Sequence, residues 1–230
     1  MATDATTLKR LLVVSPHCDD AILSCGDLLM DRPGATVVTA FAGNPPEGSP
    51  LTDWDAAAGF KPGDDVMGTR RREDAAAMKL VRARPVWLEF CDSQYAKPAS
   101  TADLAAELAR VVDVVGATAV MTPLGLFHED HMRVNEATCQ LLRERQDLMG
   151  VAYEDAIYRR VPGLLAQRLD TLSREGFSLS RLRLGMGYGS SARKRQAVGC
   201  YRSQLRALSS PGGPGFTDAF QTEGFWQLTT

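Results

Sequence analysis

The chain has 230 residues, of which 44% are hydrophobic and 23% are charged, as in an ordinary soluble globular protein. That length is enough for one domain with a substantial core, or for two small domains. The net charge of -2 gives no general attraction to nucleic acid, whose binders usually carry a basic face, so we expect no nucleic-acid partner.

Residues 1–10 have no long apolar stretch behind their positive charges and therefore predict no signal peptide. No run approaches the ~20 apolar residues that a membrane-spanning helix needs, so we expect no membrane segment. The five cysteines are scattered and form no CxxC pair, which favours a reducing, cytoplasmic location. The pattern gives no indication of the oligomeric state.

Short apolar runs rich in β-branched residues alternate with longer amphipathic stretches along the chain. The runs predict strands at residues 11–14, 36–41, 85–90 and 117–122, with a possible fifth at 151–159. Apolar residues at helical spacing predict helices at about residues 20–30, 70–81, 102–115 and 191–207. Strands that alternate with helices favour an α/β fold with a mainly parallel sheet flanked by helices. No composition shift marks a boundary, so we expect one domain over residues 1–230.

Residues 43–65 form a segment rich in proline and glycine that is too long for a simple connection, and such loops tend to cover active sites. Trp54 and Phe60 offer apolar faces to a ligand. Asp53 and Asp55 can accept hydrogen bonds from hydroxyl groups. The alternative interpretation is a surface loop with no role in binding.

The chain has three histidines, His17, His128 and His131, and all three follow predicted strands. Ligands of open parallel sheets bind outside the carboxyl ends of the strands. His17 and Asp20 are three residues apart at a loop-to-helix transition, close enough to bind one ion, and His131 would be a third ligand. Neutral imidazole and carboxylate suit Zn²⁺, whose catalytic sites keep one position open for water. The same ligands do not exclude Fe²⁺.

Further acid–base groups lie beside these residues. Asp19 can take a proton from an attacking water, and His128 can stabilise an oxyanion or protonate a leaving nitrogen, with Asp130 fixing its orientation. Each residue alone has a simpler interpretation, such as a helix N-cap for Asp19 or a hydrogen-bonded loop residue for His17. Considered together, the residues favour a metal-dependent hydrolase.

These segments resemble the signature motifs of a known family. Ser15-Pro-His-Cys-Asp-Asp20 resembles the (A/P)HPDD(E) motif, and His128-Glu-Asp-His131 the HPDH motif, of the LmbE-like (PIG-L) N-acetylglucosaminyl de-N-acetylases. The helix that begins with Arg70 looks like the family's R-x-x-E-x-x-x-A pattern. The segment from Lys194 to Gln204 looks like its K-x-x-A-x-x-x-Y-x-S-Q pattern. The resemblance extends from about residue 9 to about residue 226.

The resemblance implies a Rossmann-like α/β fold and a zinc-dependent hydrolase that removes an N-acetyl group from an amino sugar or its conjugate, releasing acetate. Zinc would be held by His17, Asp20 and His131. Asp19 would be the general base, with His128 stabilising or protonating and Asp130 paired with His128.

Three residues are candidates for substrate binding. Trp54 lies in the predicted covering loop, and Arg70 matches a substrate-contacting arginine of the family, with Arg71 or Arg72 as alternatives. The alternative for all three arginines is that they lie on a solvated helix face without a role in binding. Glu223, which precedes Gly-Phe-Trp, either reaches the substrate or belongs to a C-terminal packing element.

The sequence departs from the family pattern at three positions. Cys18 replaces the usual proline and is either a neutral neighbour of the metal or a fourth ligand. Ala21 replaces a glutamate, and Leu126 stands where some members carry a tyrosine. If that tyrosine contributes to oxyanion binding, His128 and the metal must contribute more here.

Three other functions remain as alternatives. The first is an amidase that cleaves a larger amide of a thiol or antibiotic conjugate. The second is a non-catalytic module that binds metal or sugar, although such a module would not need both Asp19 and His128. The third is an iron dioxygenase, which also uses two histidines and one carboxylate but normally holds them on a β-barrel.

Overall fold

The computed structural model describes residues 8–95, 99–184 and 190–230, without the side chains of Ser190 and Ser191, so most of the N-terminal stretch discussed above lies outside it. The strands are β1 (Leu11–Ser15), β2 (Thr36–Thr39), β3 (Arg84–Trp87), β4 (Ala119–Pro123), β5 (Met149–Tyr153), β6 (Ser178–Leu182) and β7 (Phe225–Thr229). The α-helices are α1 (Asp20–Met30), α2 (Asp53–Ala58), α3 (Val66–Val81), α4 (Thr101–Val115), α5 (Glu129–Glu144), α6 (Leu164–Arg174), α7 (Ser190–Val198) and α8 (Arg202–Leu208).

The described strands form one seven-stranded sheet in the order β3-β2-β1-β4-β5-β7-β6. The first five strands in the chain are parallel, whereas β7 runs antiparallel to both β5 and β6. The predicted Rossmann-like α/β class is confirmed, and the open sheet differs from the β-barrel of the dioxygenase alternative. The strand order reverses direction between β1 and β4, which is where such sheets bind ligands.

Alternation along β1 shows how the two faces of the sheet are covered. Leu11 and Val13 belong to the hydrophobic cluster that includes residues of α1, α3 and α7, whereas Leu12 and Val14 belong to the cluster with α4 and α5. Successive side chains of a strand point to opposite faces, so a continuous apolar run is the pattern of a strand buried on both sides. No described helix is long and apolar enough to cross a membrane.

Several predicted boundaries were wrong. The predicted strand at 151–159 ends at Tyr153, and residues beyond it form a loop that reaches the sheet edge where the histidines lie. The predicted helix at 191–207 is two helices, because the first ends at Val198, directly before Gly199, and glycine is a common helix terminator. Within the predicted covering loop the structure has a short helix, α2, capped by Thr52.

The structure corrects the substrate-binding role that was considered for Glu223. Its carboxylate is buried, accepts hydrogen bonds from the Asp27 and Leu28 N–H groups of α1 at 2.8 and 3.0 Å, and lies 2.7 Å from Lys194 Nζ. Burial raises the pKa of Glu223, while Lys194 and the two N–H groups oppose that rise. Gly26 permits this contact, because a Cβ there would lie 2.9 Å from Lys194 Cγ. Glu223 therefore anchors the C-terminal segment to α1.

Replacing Lys194 with methionine should lower the free energy of unfolding by about 3–5 kcal/mol, because it leaves the buried Glu223 carboxylate without its counter-charge. Urea denaturation of Lys194→Met measures this loss. The matched control is Arg110→Met, which breaks the solvent-exposed pair with Glu107 and should unfold close to wild type. Equal midpoints for Lys194→Met and wild type would contradict the structural role of this pair.

Candidate metal centre and active site

The carboxyl ends of β1, β3, β4 and β5 surround one cavity of about 520 Å³, within the ~300–1,000 Å³ range of small-molecule sites. Polar and titratable side chains line it together with an apolar wall. The polar lining residues are His17, Asp19, Asp20, Arg70, Asp92, Ser93, Gln94, His128, His131 and Gln204. The parallel sheet therefore brings the two histidine segments together, as the sequence predicts.

The loop after β1 is held by its own side chains. Ser15 Oγ donates to the His17 carbonyl at 2.6 Å and accepts from the Ala21 N–H at 3.0 Å, which bridges the loop to the start of α1. The His17 N–H donates to Asp20 Oδ2 at 2.9 Å. These short-range bonds turn the Asp20 carboxylate back toward the His17 ring, so the chain itself sets the orientation of both groups.

The three predicted metal ligands form a cluster. Asp20 Oδ2 lies 3.1 Å from His17 Nδ1 and 3.2 Å from His131 Nε2. Ligand atoms around a tetrahedral zinc with bonds of ~2.0–2.1 Å are roughly 3.3 Å apart, so both distances match adjacent corners of such a site. Ligand atoms of all three residues lie within 4.8 Å of one another. The donor set therefore fits one zinc ion without rearrangement of the backbone.

Each of the two histidines contacts a further carboxylate through its other ring nitrogen. His17 Nε2 lies 3.2 Å from Asp130 Oδ2, and His131 Nδ1 lies 2.5 Å from Asp155 Oδ1. Carboxylates in this position fix the tautomer and orientation of metal-binding imidazoles and increase their basicity. The contacts leave His17 Nδ1 and His131 Nε2, the nitrogens nearest Asp20, free to coordinate a metal.

The pKa values of the three clustered side chains are shifted by the charges of their neighbours. Burial alone would lower the pKa of His131, but Asp20 and Asp155 raise it to about 9. Burial also opposes a charged His17, yet Asp92, Asp130 and Asp20 hold its pKa well above the usual range. Burial would raise the pKa of Asp20, but the neighbouring imidazoles lower it. The cluster thus stabilises positive charge at the position between these three side chains.

Asp19 has the environment of a general base. It precedes α1 as its N-cap, but its side chain makes no capping hydrogen bond and instead lines the cavity. Burial and the negative charge of Asp20 raise the pKa of Asp19 to about 7, while His17 opposes the rise. A base with a pKa near the working pH accepts a proton and returns it with comparable ease.

His128 occupies the N-cap of α5, where its Nδ1 accepts a hydrogen bond from the Asp130 N–H at 3.2 Å. A neutral His128 therefore carries its proton on Nε2 and can donate it. Burial lowers the pKa of His128, and the positive charges of His17 and His131 lower it further, which favours this neutral form. The expected pairing of the Asp130 carboxylate with His128 is corrected: that carboxylate contacts His17 and accepts from Ser93 Oγ at 2.9 Å.

The turn before His128 is strained. Phe127 has a φ of +64°, and the His128 N–H donates to the Leu126 carbonyl at 2.7 Å across it, which makes a γ-turn of the rare positive-φ type. Such a conformation costs about 1–3 kcal/mol in a bulky residue. Asp155 Oδ2 accepts from the Gly125 and Leu126 N–H groups at 3.1 and 3.2 Å and so holds the turn in place.

Arg70 lies at the cavity, buried at the first turns of α3, so the solvated-face interpretation fails for it, whereas Arg72 is exposed. Arg70 Nη2 donates to Asp55 Oδ1 at 2.7 Å, and Tyr95 Oη donates to Asp55 Oδ2 at the same distance. Asp55 is therefore engaged with protein groups and is not a free acceptor for sugar hydroxyls. The same network holds α2 against α3.

Trp54 of α2 lines the cavity, whereas Phe60 does not. Trp54 Nε1 donates to Gln204 Oε1 at 3.1 Å, and Thr52 Oγ1 donates to Gln94 Oε1 at 2.7 Å. The covering segment is thus tied to two other parts of the chain by polar contacts. These contacts place one face of α2 over the cavity.

The helix that begins its family pattern at Arg70 contacts the segment from Lys194 to Gln204, which carries the other family pattern. Glu73 of α3 accepts from the Ser203 N–H and Oγ at 2.9 and 2.6 Å, and Tyr201 Oη donates to Asp74 at 2.8 Å. Burial raises the pKa of Asp74 to about 6, although Trp87 and Tyr201 donate to it. This contact positions Gln204 and the start of α8 beside the cavity.

The departures from the family pattern have distinct structural contexts. Cys18 lines the cavity, and burial followed by the charges of Asp74 and Asp19 raises its pKa, so it remains a neutral thiol. Among the described residues two groups of side chains could hold a metal, namely His17, Asp20 and His131, and His17, His128 and Asp130, and Cys18 belongs to neither. Ala21 and Leu126 are fully buried in the hydrophobic core.

Sequence reasoning missed Asp155, Asp92, Ser93 and Tyr158. Asp155 and Tyr158 lie in the loop that was predicted as a continuation of β5, and Asp92 and Ser93 follow β3. The available signal was position, because polar residues directly after a parallel strand reach the same sheet edge as the histidines. Tyr158 lines the cavity and meets the His131 ring edge-on, with 5.6 Å between ring centroids.

Comparison with known proteins gives a family match and several similar solved structures. The profile of the PIG-L family, described as GlcNAc-PI de-N-acetylase, matches residues 12–142. Among solved structures, a deacetylase triple mutant involved in the teicoplanin biosynthetic pathway is 27% identical, with a TM-score of 0.80, and the match covers 96% of this chain and 98% of that one. The zinc-inhibited form of a teicoplanin deacetylase is 25% identical, with a TM-score of 0.81 and the same coverage.

A more distant match shows the fold alone. An N,N'-diacetylchitobiose deacetylase from Pyrococcus horikoshii is 16% identical, with a TM-score of 0.56, over 86% of this chain and 72% of that one. A comparison with curated protein sequences gives no match.

Replacing Asp155 with asparagine should lower zinc affinity roughly 10–100-fold, the usual effect of losing a carboxylate behind a metal-binding histidine. The asparagine oxygen can still accept from the two backbone N–H groups, which turns its NH₂ toward His131 Nδ1 and favours the proton on Nε2. Competition with a chromophoric chelator measures the affinity, and circular dichroism checks the fold. The matched control is Asp170→Asn on the exposed side of α6. Wild-type affinity in a folded Asp155→Asn protein would contradict this role.

Proposed function

The chain belongs to the PIG-L family and is a de-N-acetylase, and from this premise we propose that it is a zinc-dependent hydrolase that removes the acetyl group of an N-acetylated amino sugar or its conjugate. Acetate and a free amine would be the products. The single observation that carries the proposal is the position of Asp20 Oδ2 between His17 Nδ1 and His131 Nε2, beside the buried carboxylate of Asp19.

His17, Asp20 and His131 would hold the metal. When bound, zinc supplies a Lewis acid for the amide carbonyl and lowers the pKa of water toward about 7. A relative solved in a zinc-inhibited form supports the use of a metal at this site. Ferrous iron, which accepts the same ligands, remains the alternative.

The remaining side chains divide the proton transfers between them. We infer that Asp19 takes the proton of the attacking water, since its raised pKa suits a general base. His128 donates from Nε2 to the oxygen that becomes negative as the tetrahedral carbon forms. The proton held by Asp19 or His128 then passes to the leaving nitrogen as the C–N bond breaks. Asp130 and Asp155 act through His17 and His131 and keep those rings in place.

The substrate assignment rests on the shape and lining of the cavity. An acetyl carbonyl must reach the buried ligands, so the rest of the molecule extends toward α2 and the loop after β5. Trp54 offers an aromatic face, and Arg70, Ser93, Gln94 and Gln204 offer hydrogen-bonding groups along the same cavity. This mixture suits an amino sugar.

Purified protein should contain about one zinc ion per chain, and a chelator should abolish deacetylation because the attacking water loses its activation. His17→Ala, Asp20→Ala and His131→Ala should each lose the metal, whereas His128→Ala, the matched control, should keep it. Elemental analysis of protein made with and without oxygen distinguishes zinc from iron. Full metal occupancy in two of the three ligand variants would disprove the assignment.

Asp19→Asn should retain metal and lose roughly 10²–10⁴-fold in turnover, the usual effect of removing a positioned general base. Acetate release from N-acetylglucosamine derivatives, normalised to metal content, measures the effect. A variant with wild-type turnover would show that another group takes the proton.

A further inference from the structure

Phe127 is an unusual part of the cavity wall. The residue is 67% exposed, and among the described residues it is one of four large hydrophobic residues that are exposed, the others being Leu80, Val114 and Val161. Of these four, Phe127 is the one that lines the cavity. An exposed ring contributes little to the core, so burial does not account for an aromatic residue in the strained turn before His128.

The Phe127 ring is stacked on Tyr158, with 5.3 Å between ring centroids and 29° between planes. Tyr158 in turn meets the His131 ring edge-on. An aromatic path therefore runs from an exposed ring to a metal-binding histidine. We call the pair formed by Phe127 and Tyr158 the aromatic rim.

Exposure along the cavity shows which part of a substrate reaches the aromatic rim. The metal-binding end is deep, since Asp20 and His131 are buried, whereas Phe127 and Gly212 are the exposed residues among the described lining. An acetyl carbonyl at the deep end places the sugar in the middle and the group attached to the sugar at the mouth. The cavity lining also includes the apolar side chains of Ile157, Leu208 and Pro214.

We propose that the aromatic rim is a subsite for an apolar, preferably aromatic, aglycone, so that the substrate is an N-acetylated amino sugar carried on such a group. Aromatic rings pair with other rings and with apolar surfaces by stacking. The proposal rests on the proposed deacetylase function and specifies its substrate class.

The test compares two glycosides with the same sugar, p-nitrophenyl and methyl N-acetyl-β-D-glucosaminide. Wild-type kcat/KM should favour the aryl glycoside by roughly tenfold or more, the scale expected when an aromatic ring leaves water. Phe127→Ala should lower this ratio by at least about fivefold, and Phe127→Trp should restore it. The matched control is Val161→Ala, which removes another exposed apolar side chain from the loop after β5 and should keep the wild-type ratio.

Binding of both glycosides to the Asp19→Asn variant, measured by calorimetry, gives a second readout that needs no turnover and should show the same dependence on Phe127. Equal kcat/KM for the two glycosides, or a ratio unaffected by Phe127→Ala in folded, metal-loaded protein, would overturn the subsite and leave the deacetylase function intact. Failure of the zinc-loaded protein to release acetate from either glycoside, with both still binding, would instead count against the proposed function.

Discussion

The structure around the proposed metal centre depends on the concentration of negative charge at one edge of the sheet. Asp19, Asp20, Asp92, Asp130 and Asp155 are all buried there. Unpaired carboxylates are costly to bury, and the imidazoles of His17 and His131 offset this cost only when they carry protons or a metal. A divalent cation would supply the missing positive charge at the point where the carboxylate of Asp20 faces two ring nitrogens. The site is thus organised for a cation before any substrate enters.

The topology of the sheet makes this concentration possible. Parallel strands place their carboxyl ends at one edge, so segments separated by more than a hundred residues meet without long excursions of the chain. Short-range bonds from Ser15 orient the first segment, and the γ-turn at Phe127 orients the second. The carboxylates of Asp130 and Asp155 then join the segments through the histidine rings. Rigidity at the proposed metal ligands therefore comes from hydrogen bonds between loops, while the strands provide their spacing.

The parts of this arrangement that depend on local pattern could be predicted from the sequence. Buried parallel strands appear as apolar runs, and the spacing of His17 and Asp20 already indicates that both can bind one ion. Contacts between distant segments could not be predicted: Asp155 acts on a histidine 24 residues away, and Glu223 pairs with Lys194 across 29 residues. Glu223 was misassigned because a carboxylate beside aromatic residues has the same pattern whether it faces a cavity or a buried lysine. The break between α7 and α8 had a local signal in Gly199, but the helical spacing on both sides obscured it.

The contact between α3 and the C-terminal segment allows the cavity wall to change during evolution independently of the proposed metal ligands. Every proposed metal ligand and every carboxylate that supports one lies before residue 156, whereas Gln204, Leu208 and Pro214, which complete the cavity wall, come from the last part of the chain. Glu73 and Asp74 attach that wall to α3 through Ser203 and Tyr201 without using any metal-binding side chain. Mutations in the C-terminal wall can therefore reshape the space available to a substrate while the catalytic machinery stays constant. Such a division lets one chemistry diversify toward new substrates by small steps, since each step leaves the proposed metal centre intact.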